Sequence, residues 1–293
     1  MSDDNHQSKS GRTLPPRHPL IRWAGGKRLI VRKLESFLPP SFGTYFEPML
    51  GSGALFFALR PESSVLADMN PELVNFYRVI KTAPVSFYRA IHPLRASKAR
   101  YYRLRKTCPS SQLTRAIRFF YLIRLSWNAL YRVNKSGQFN VPFGGRWPKD
   151  LAGLPEILSA SRALRKARIL CGDFATTTAL AKPGDFVYFD PPYPKGASSD
   201  HNGFARYHET GFTLEDHKRL SLHARTLAEK GVHVLITEAA TRKIRNLYRD
   251  DFQEQLVRSR SLIAASSRWR RTVYEAVFTS YPVASKGRKK KGE

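Results

Sequence analysis

The stretch FVYFDPPYP, Phe186 to Pro194, runs four apolar or aromatic residues into an acid, two prolines and a tyrosine. Pro191 and Pro192 cannot extend a hydrogen-bond ladder, so a buried strand is expected to end there with Asp190 at its carboxyl end. That arrangement suits an exocyclic amine. Such a group has two N–H donors, one for Asp190 and one for the Pro191 carbonyl. Holding both turns the nitrogen lone pair out of conjugation and toward an electrophile. Tyr193 then offers a flat face for a planar base. Given typical residue frequencies, an Asp-Pro-Pro-Tyr run arises by chance in about one chain in a thousand of this length.

Three other stretches carry residues of similar interest. FEPMLGSGAL, 46 to 55, passes from a β-rich run through Gly51, Ser52 and Gly53 into a helical pattern. Glycines let the backbone turn off a strand and let a ligand approach the main chain closely. Phe56 stands where the third glycine of the dinucleotide fingerprint belongs, so the motif alone is also compatible with a plain tight turn. VLADMNPEL sets Asp68 at the end of the next strand, as an acid for ribose hydroxyls or as a helix cap, a part Asn70 can equally play. CGDF ends a third strand with Asp173, an acceptor for an adenine amino group, and with Phe174, a ring for its face. Together these stretches outline an adenosine site beside the amine site.

The elements that must position these residues read as α/β. Expected strands are TYFEPM (44 to 49), VLADM (65 to 69), RILCGD (168 to 173), FVYFD (186 to 190) and HVLITE (233 to 238). Helical patterns cover KRLIVRKLESFL, ELVNFYRVIK and LEDHKRLSLHARTLAEK, the last ended by Gly231. EQLVRSRSLIAA and YEAVFTSY are expected to form an antiparallel edge pair. The whole predicts a mostly parallel sheet with crossover helices.

Charge points to the partner. Lys and Arg number 50 against 23 acids, a formal net charge of +27, which favours nucleic acid. Residues 81 to 149 hold 15 Lys or Arg and no Asp or Glu. Two helical runs there, FYRAIHPLRASKARYYRLRK and LTRAIRFFYLIRLSWNALYR, precede a glycine-rich hairpin, VNKSGQFNVPFGGRWPKD. Aromatic residues interleave with the basic ones, as where phosphates and bases are both contacted, although Phe119, Phe120 and Tyr121 read better as the core of that segment. Cys108 and Cys171, far apart and outside any Cys/His cluster, give no disulfide framework or structural zinc site. No run approaches the roughly 20 apolar residues of a membrane span, and the polar start lacks the core of a signal peptide. A reducing, cytoplasmic setting is expected.

With FEPMLGSGAL, GDF and FDPPY in this order, the chain resembles the Dam-like DNA adenine-N6 methyltransferases. RWAGGKR (22 to 28), WNALYRVNKSGQFNVPFG (127 to 144) and the closing RSRSLIAASSRWRRTVYEAVFTSY strengthen the likeness. The resemblance implies a Rossmann-like methyltransferase sheet plus an inserted, mainly helical recognition domain. It divides the chain into a disordered tail (1–17), a discontinuous catalytic domain (18–80 and 157–282), the insertion (81–156) and a basic tail (283–293). It implies S-adenosylmethionine held by Trp23, Lys27, Glu47, Gly51, Ser52, Gly53, Asp68, Asp173, Phe174 and Asp190, with no metal. Asp190, Pro191, Pro192 and Tyr193 would be catalytic. Double-stranded DNA would meet Asn128, Arg132, Asn140, Pro142 and Arg146, and Arg132 suits guanine because arginine bonds O6 and N7 together. A monomer is the default expectation.

The chain departs from the family in three places. Ala129 follows Asn128 where glycine is usual, Arg146 replaces the tyrosine of the GATC-reading enteric members, and LITEAA lacks the usual Ser-Asn. These bear on the recognition sequence more than on the reaction. Two other functions compete: an amino-methyltransferase of cytosine N4 or RNA, and a DNA-binding protein that kept the fold without catalysis.

Overall fold

A computed structural model describes residues 18–145, 151–193, 212–260 and 272–283. Both expected tails, apart from Val283, and Arg146, Trp147 and Pro194 lie outside these residues. The described strands are β1 (Tyr45–Glu47), β2 (Ser64–Asp68), β3 (Ala167–Cys171), β4 (Phe186–Phe189), β5 (His233–Ala239), β6 (Gln253–Arg260) and β7 (Thr272–Thr279). They form one sheet in the order β3-β2-β1-β4-β5-β7-β6. The first five are parallel, so their carboxyl ends share one edge. β7 runs antiparallel to both neighbours, and the expected edge pair is therefore present, with β7 inserted between β5 and β6. This is the Rossmann-like sheet that the sequence leads one to expect.

The helices are α1 (Val31–Leu34), α2 (Ala54–Leu59), α3 (Pro71–Thr82), α4 (Pro84–Ile91), α5 (Lys98–Arg105), α6 (Gln112–Leu125), α7 (Leu154–Leu164), α8 (Phe174–Thr178), α9 (Leu214–Glu229) and α10 (Arg242–Arg245). Strand residues alternate between two cores. Tyr45, Leu66, Tyr188 and Leu235 face α3, α6 and α7, whereas Phe46, Val65, Val187, Phe189 and Ile236 face α9 and the α10 region. Burial on both faces explains why the central strands read as unbroken apolar runs.

Three helical expectations needed correction. KRLIVRKLESFL breaks into a 3₁₀ turn at Lys27–Leu29, the single turn α1 and a second 3₁₀ turn at Glu35–Phe37. No side chain caps its start, and buried Lys27 turns back to donate to the Gly25 carbonyl, 3.0 Å, which tightens the first turn. The first basic run divides into α4 and α5 around Pro93, and Ser97 caps the second helix by accepting from the Arg100 amide. The second basic run, LTRAIRFFYLIRLSWNALYR, is helical only to Leu125: Ser126 turns extended and Trp127–Ala129 form a 3₁₀ turn with Asn128 left-handed.

Phe119, Phe120 and Tyr121 are buried as expected. Phe120 stacks on Phe76 of α3 at 5.7 Å, so the core of α6 is continuous with the core beneath the sheet. The hairpin closes through bridges between Val133 and Phe139 and between Ser126 and Phe143. Among the described residues no helix is long and apolar enough to cross a membrane, and no cluster of three metal-ligating side chains is present.

Candidate active site

The turn after β1 takes left-handed backbone at Gly51 (φ 48°) and Gly53 (φ 66°) before α2 begins. A Cβ on Gly51 would stand 2.8 Å from the Trp23 ring, so Gly51 is required twice over, by conformation and by space. Gly26 approaches Ser52 in the same way, a Cβ there lying 3.1 Å from Oγ. The loops Trp23–Gly26 and Gly51–Gly53, distant in sequence, therefore close on each other. Trp23 also stacks on Tyr131 at 5.8 Å, joining this cradle to the basic segment.

Asp68 ends β2 and accepts from the Gly51 amide at 3.0 Å and the Asn70 amide at 2.9 Å. Asn70 is the cap of α3, accepting from Glu72 and Leu73; Asp68 braces the glycine turn. Burial raises its carboxyl above the usual carboxylate range. Glu47, 2% exposed, accepts from Tyr45 Oη at 2.8 Å and the Phe56 amide at 3.2 Å through the same oxygen, Oε2.

Burial lifts the Glu47 carboxyl from 4.5 to about 8, which favours its protonated form in the folded protein around neutral pH. A carboxyl raised on folding loses stability progressively as pH climbs from its unfolded value to its folded one, and the loss is constant above. Glu47→Gln is accordingly expected to raise the melting temperature at pH 9 and to change it little at pH 5. Thermal unfolding at the two pH values checks this.

Asp190 follows β4 directly. Thr237 Oγ1 of β5 donates to its Oδ1 at 2.9 Å, and since that hydroxyl proton is committed, Tyr188 Oη donates to Thr237 at 3.0 Å. Lys27 forms an ion pair with the same oxygen; the Lys27 side chain is 5% exposed and that of Asp190 17%. Burial raises the Asp190 carboxyl, and Lys27 opposes that shift. The Lys27 ammonium lies 4.8 Å over the Tyr193 ring and 3.8 Å from Glu275 of β7. Tyr193 Oη donates to Glu275 Oε2 at 2.7 Å. Two carboxylates, one ammonium and a half-open aromatic face thus share the carboxyl end of β4.

Asp173 lies beyond β3, whose Cys171 pairs in register with Asp68. Its carboxylate caps α8 by accepting from Ala175 and takes a two-pronged pair from Arg219 of α9 at 2.9 and 2.7 Å. Arg219 holds that carboxyl below its usual range. The same guanidinium covers the Phe174 ring at 4.2 Å, and Phe174 is 3% exposed. Stacking of an adenine on that face requires Arg219 to swing away.

In the basic segment Asn128 is exposed with φ 51°, and Ala129 follows at φ 55°. Both take the conformation that glycine adopts without strain. Arg132 Nε donates to Asn140 Oδ1 at 2.5 Å, and the two residues also pair through their backbones. Pro142 is exposed, and its carbonyl accepts from the Trp127 amide at 3.0 Å.

Sequence reasoning missed Thr237, Arg219 and Glu275. Thr237 stands where the expected Ser-Asn is lacking, and its hydroxyl was the available signal. Glu275 lies in the closing segment TVYEAVFTSY, where nothing local gives it a role. Arg219 carried no signal, because its partner is 46 residues away.

Comparison with known proteins places the chain among DNA methyltransferases. The family of D12 class N6 adenine-specific DNA methyltransferases matches residues 23–262. The type II methyltransferase M1.LlaDCHI of Lactococcus lactis subsp. cremoris is 35% identical over 273 residues, covering 90% of this chain and 95% of that protein. The DNA adenine methylase of Vibrio cholerae serotype O1 is 33% identical over 270 residues, 89% and 96% of the two chains. That of Escherichia coli K12 is 32% identical over 235 residues, 78% and 83%.

Proposed function

The chain belongs to the D12 class of N6 adenine-specific DNA methyltransferases, and from that premise we propose a site-specific enzyme that uses S-adenosylmethionine and flips its target adenine out of duplex DNA. The cofactor supplies an electrophilic methyl group. The residues present fit it: the Gly51–Gly53 cradle has no room for a Cβ against Trp23, and Asp68 stands beside the cradle as an acceptor for ribose hydroxyls. Asp173 and Phe174 are the proposed adenine contacts, once Arg219 has moved.

The observation that carries the reading is the nitrogen already seated on Asp190. Lys27 places an N–H donor on Oδ1 and above the Tyr193 ring, which is where an adenine amino group stacked on that ring would stand. Asp190 and the Pro191 carbonyl then hold the two amino protons and direct the lone pair outward. Asp190 need not take a proton before attack, because the nitrogen becomes acidic only once methylated. Holding both reactants in line contributes on the order of 7 to 11 kcal/mol. Flipping costs a few kcal/mol, which phosphate contacts from the basic residues of 81–156 offset.

On this reading 81–156 is the recognition unit, with Asn128, Arg132, Asn140, Pro142 and Arg146 toward DNA. One chain supplies cradle, acid and basic segment, which supports a monomer; the cytoplasmic setting follows only from DNA being the substrate of the family. The test is expression in a host lacking adenine methylation, with modified bases mapped across its genome. N6-methyladenine confined to one short motif is expected; an unmodified genome with folded protein present contradicts the proposal.

A further inference from the structure

We propose that Glu275 is a positioning residue for methyl transfer, aiming Tyr193 and receiving Lys27 when the target amine displaces it from Asp190. The inference rests on the reading of Asp190 given above. Glu275 lies on β7, opposite Ala239 at the carboxyl end of β5, so an antiparallel strand delivers it to the catalytic edge. Its side chain is 11% exposed, and its Oε2 accepts the Tyr193 hydroxyl at 2.7 Å. That bond fixes the plane of the ring on which the base would stack, because a tyrosine tied at both ends cannot swing about its side-chain torsions.

The second part follows from charge. Asp190 Oδ1 already receives Lys27 and Thr237, so an incoming amine and Lys27 compete for one carboxylate. Lys27, 5% exposed, cannot leave for water, and an unpaired buried ammonium is costly. Glu275 stands 3.8 Å from Nζ, and a shift of about 1 Å brings it to hydrogen-bond distance. The ammonium then stays neutralised while Asp190 is free for the amine. Without Glu275, Lys27 keeps only the neutral Gly25 carbonyl and the Tyr193 ring and has no second acid among the described residues, so it holds Asp190 against the substrate.

The experiment compares Glu275→Ala and Glu275→Gln with the wild type on unmethylated plasmid DNA, using single-turnover rates, DNA KM and calorimetric binding of S-adenosylmethionine. Glu275→Gln keeps an acceptor for Tyr193 and loses the charge for Lys27. We expect about a 100-fold slower transfer for Glu275→Ala and about tenfold for Glu275→Gln, with KM and cofactor affinity within threefold of wild type. Tyr193→Phe should add little to Glu275→Ala, since the two share one bond. Wild-type transfer by folded, cofactor-binding Glu275→Ala overturns the inference. So does an equal fall in cofactor affinity and rate in both variants, which marks a merely structural role. If Asp190→Ala also transfers normally, the reading of Asp190 fails; if only the Glu275 variants do, that reading stands and the inference alone falls.

Discussion

Asp190→Ala is expected to lower methyl transfer by at least about a thousandfold, the upper range for loss of one preorganised group at a reacting centre. The substitution removes the acceptor that orients the amine and the seat that Lys27 occupies. Folding should survive, because Glu275 remains 3.8 Å from the ammonium and the strand is held by Phe186, Val187, Tyr188 and Phe189, all buried. DNA binding should also survive, since the basic segment is untouched. Measured methyl transfer beside a gel-shift assay separates these outcomes, and normal methylation by the variant would sink the mechanism.

Lys27→Met should cost stability. Removing the ammonium leaves Asp190 and Glu275 facing one another in a pocket with little solvent, and breaking a buried pair this way costs about 3 to 5 kcal/mol, or roughly 10 °C in melting temperature for a chain of this size. The pH dependence has a definite sign. Burial already raises the Asp190 carboxyl, and Lys27 is what opposes the rise; without it the folded value goes higher still. A carboxyl raised on folding destabilises increasingly as pH rises from its unfolded to its folded value. The deficit of the variant should therefore be largest at pH 8 and shrink toward pH 4, where a proton replaces the ammonium. A deficit independent of pH would mean that Lys27 contributes packing and not charge.

What could be read in the sequence was what local chemistry dictates. The parallel strands showed as apolar runs because both faces are buried, and their ends showed because Asp68 and Asp190 interrupt those runs. Pro191 and Pro192 marked the stop that the structure places after Phe189. The paired final strands were legible for the same reason, but the insertion of β7 between β5 and β6 was not, since adjacency in sequence says nothing about which strand lies on the other side. That order is what brings Glu275 to Tyr193, so the residue passed unremarked. The broken helix at Lys27–Phe37 failed similarly. Its periodicity is helical, but Lys27 is drawn into a crevice built by residues some 160 and 250 positions away. Arg219 on Asp173 is another tertiary contact, and it qualifies the expected adenine pocket in a way no local pattern could.

The central claim is that a methyl group reaches N6 of adenine. Purified protein, incubated with unmethylated duplex DNA and S-adenosylmethionine labelled in its methyl group, should yield label in a single nucleoside after digestion, N6-methyldeoxyadenosine. Label in N4-methyldeoxycytidine, or none from folded protein, would contradict the account.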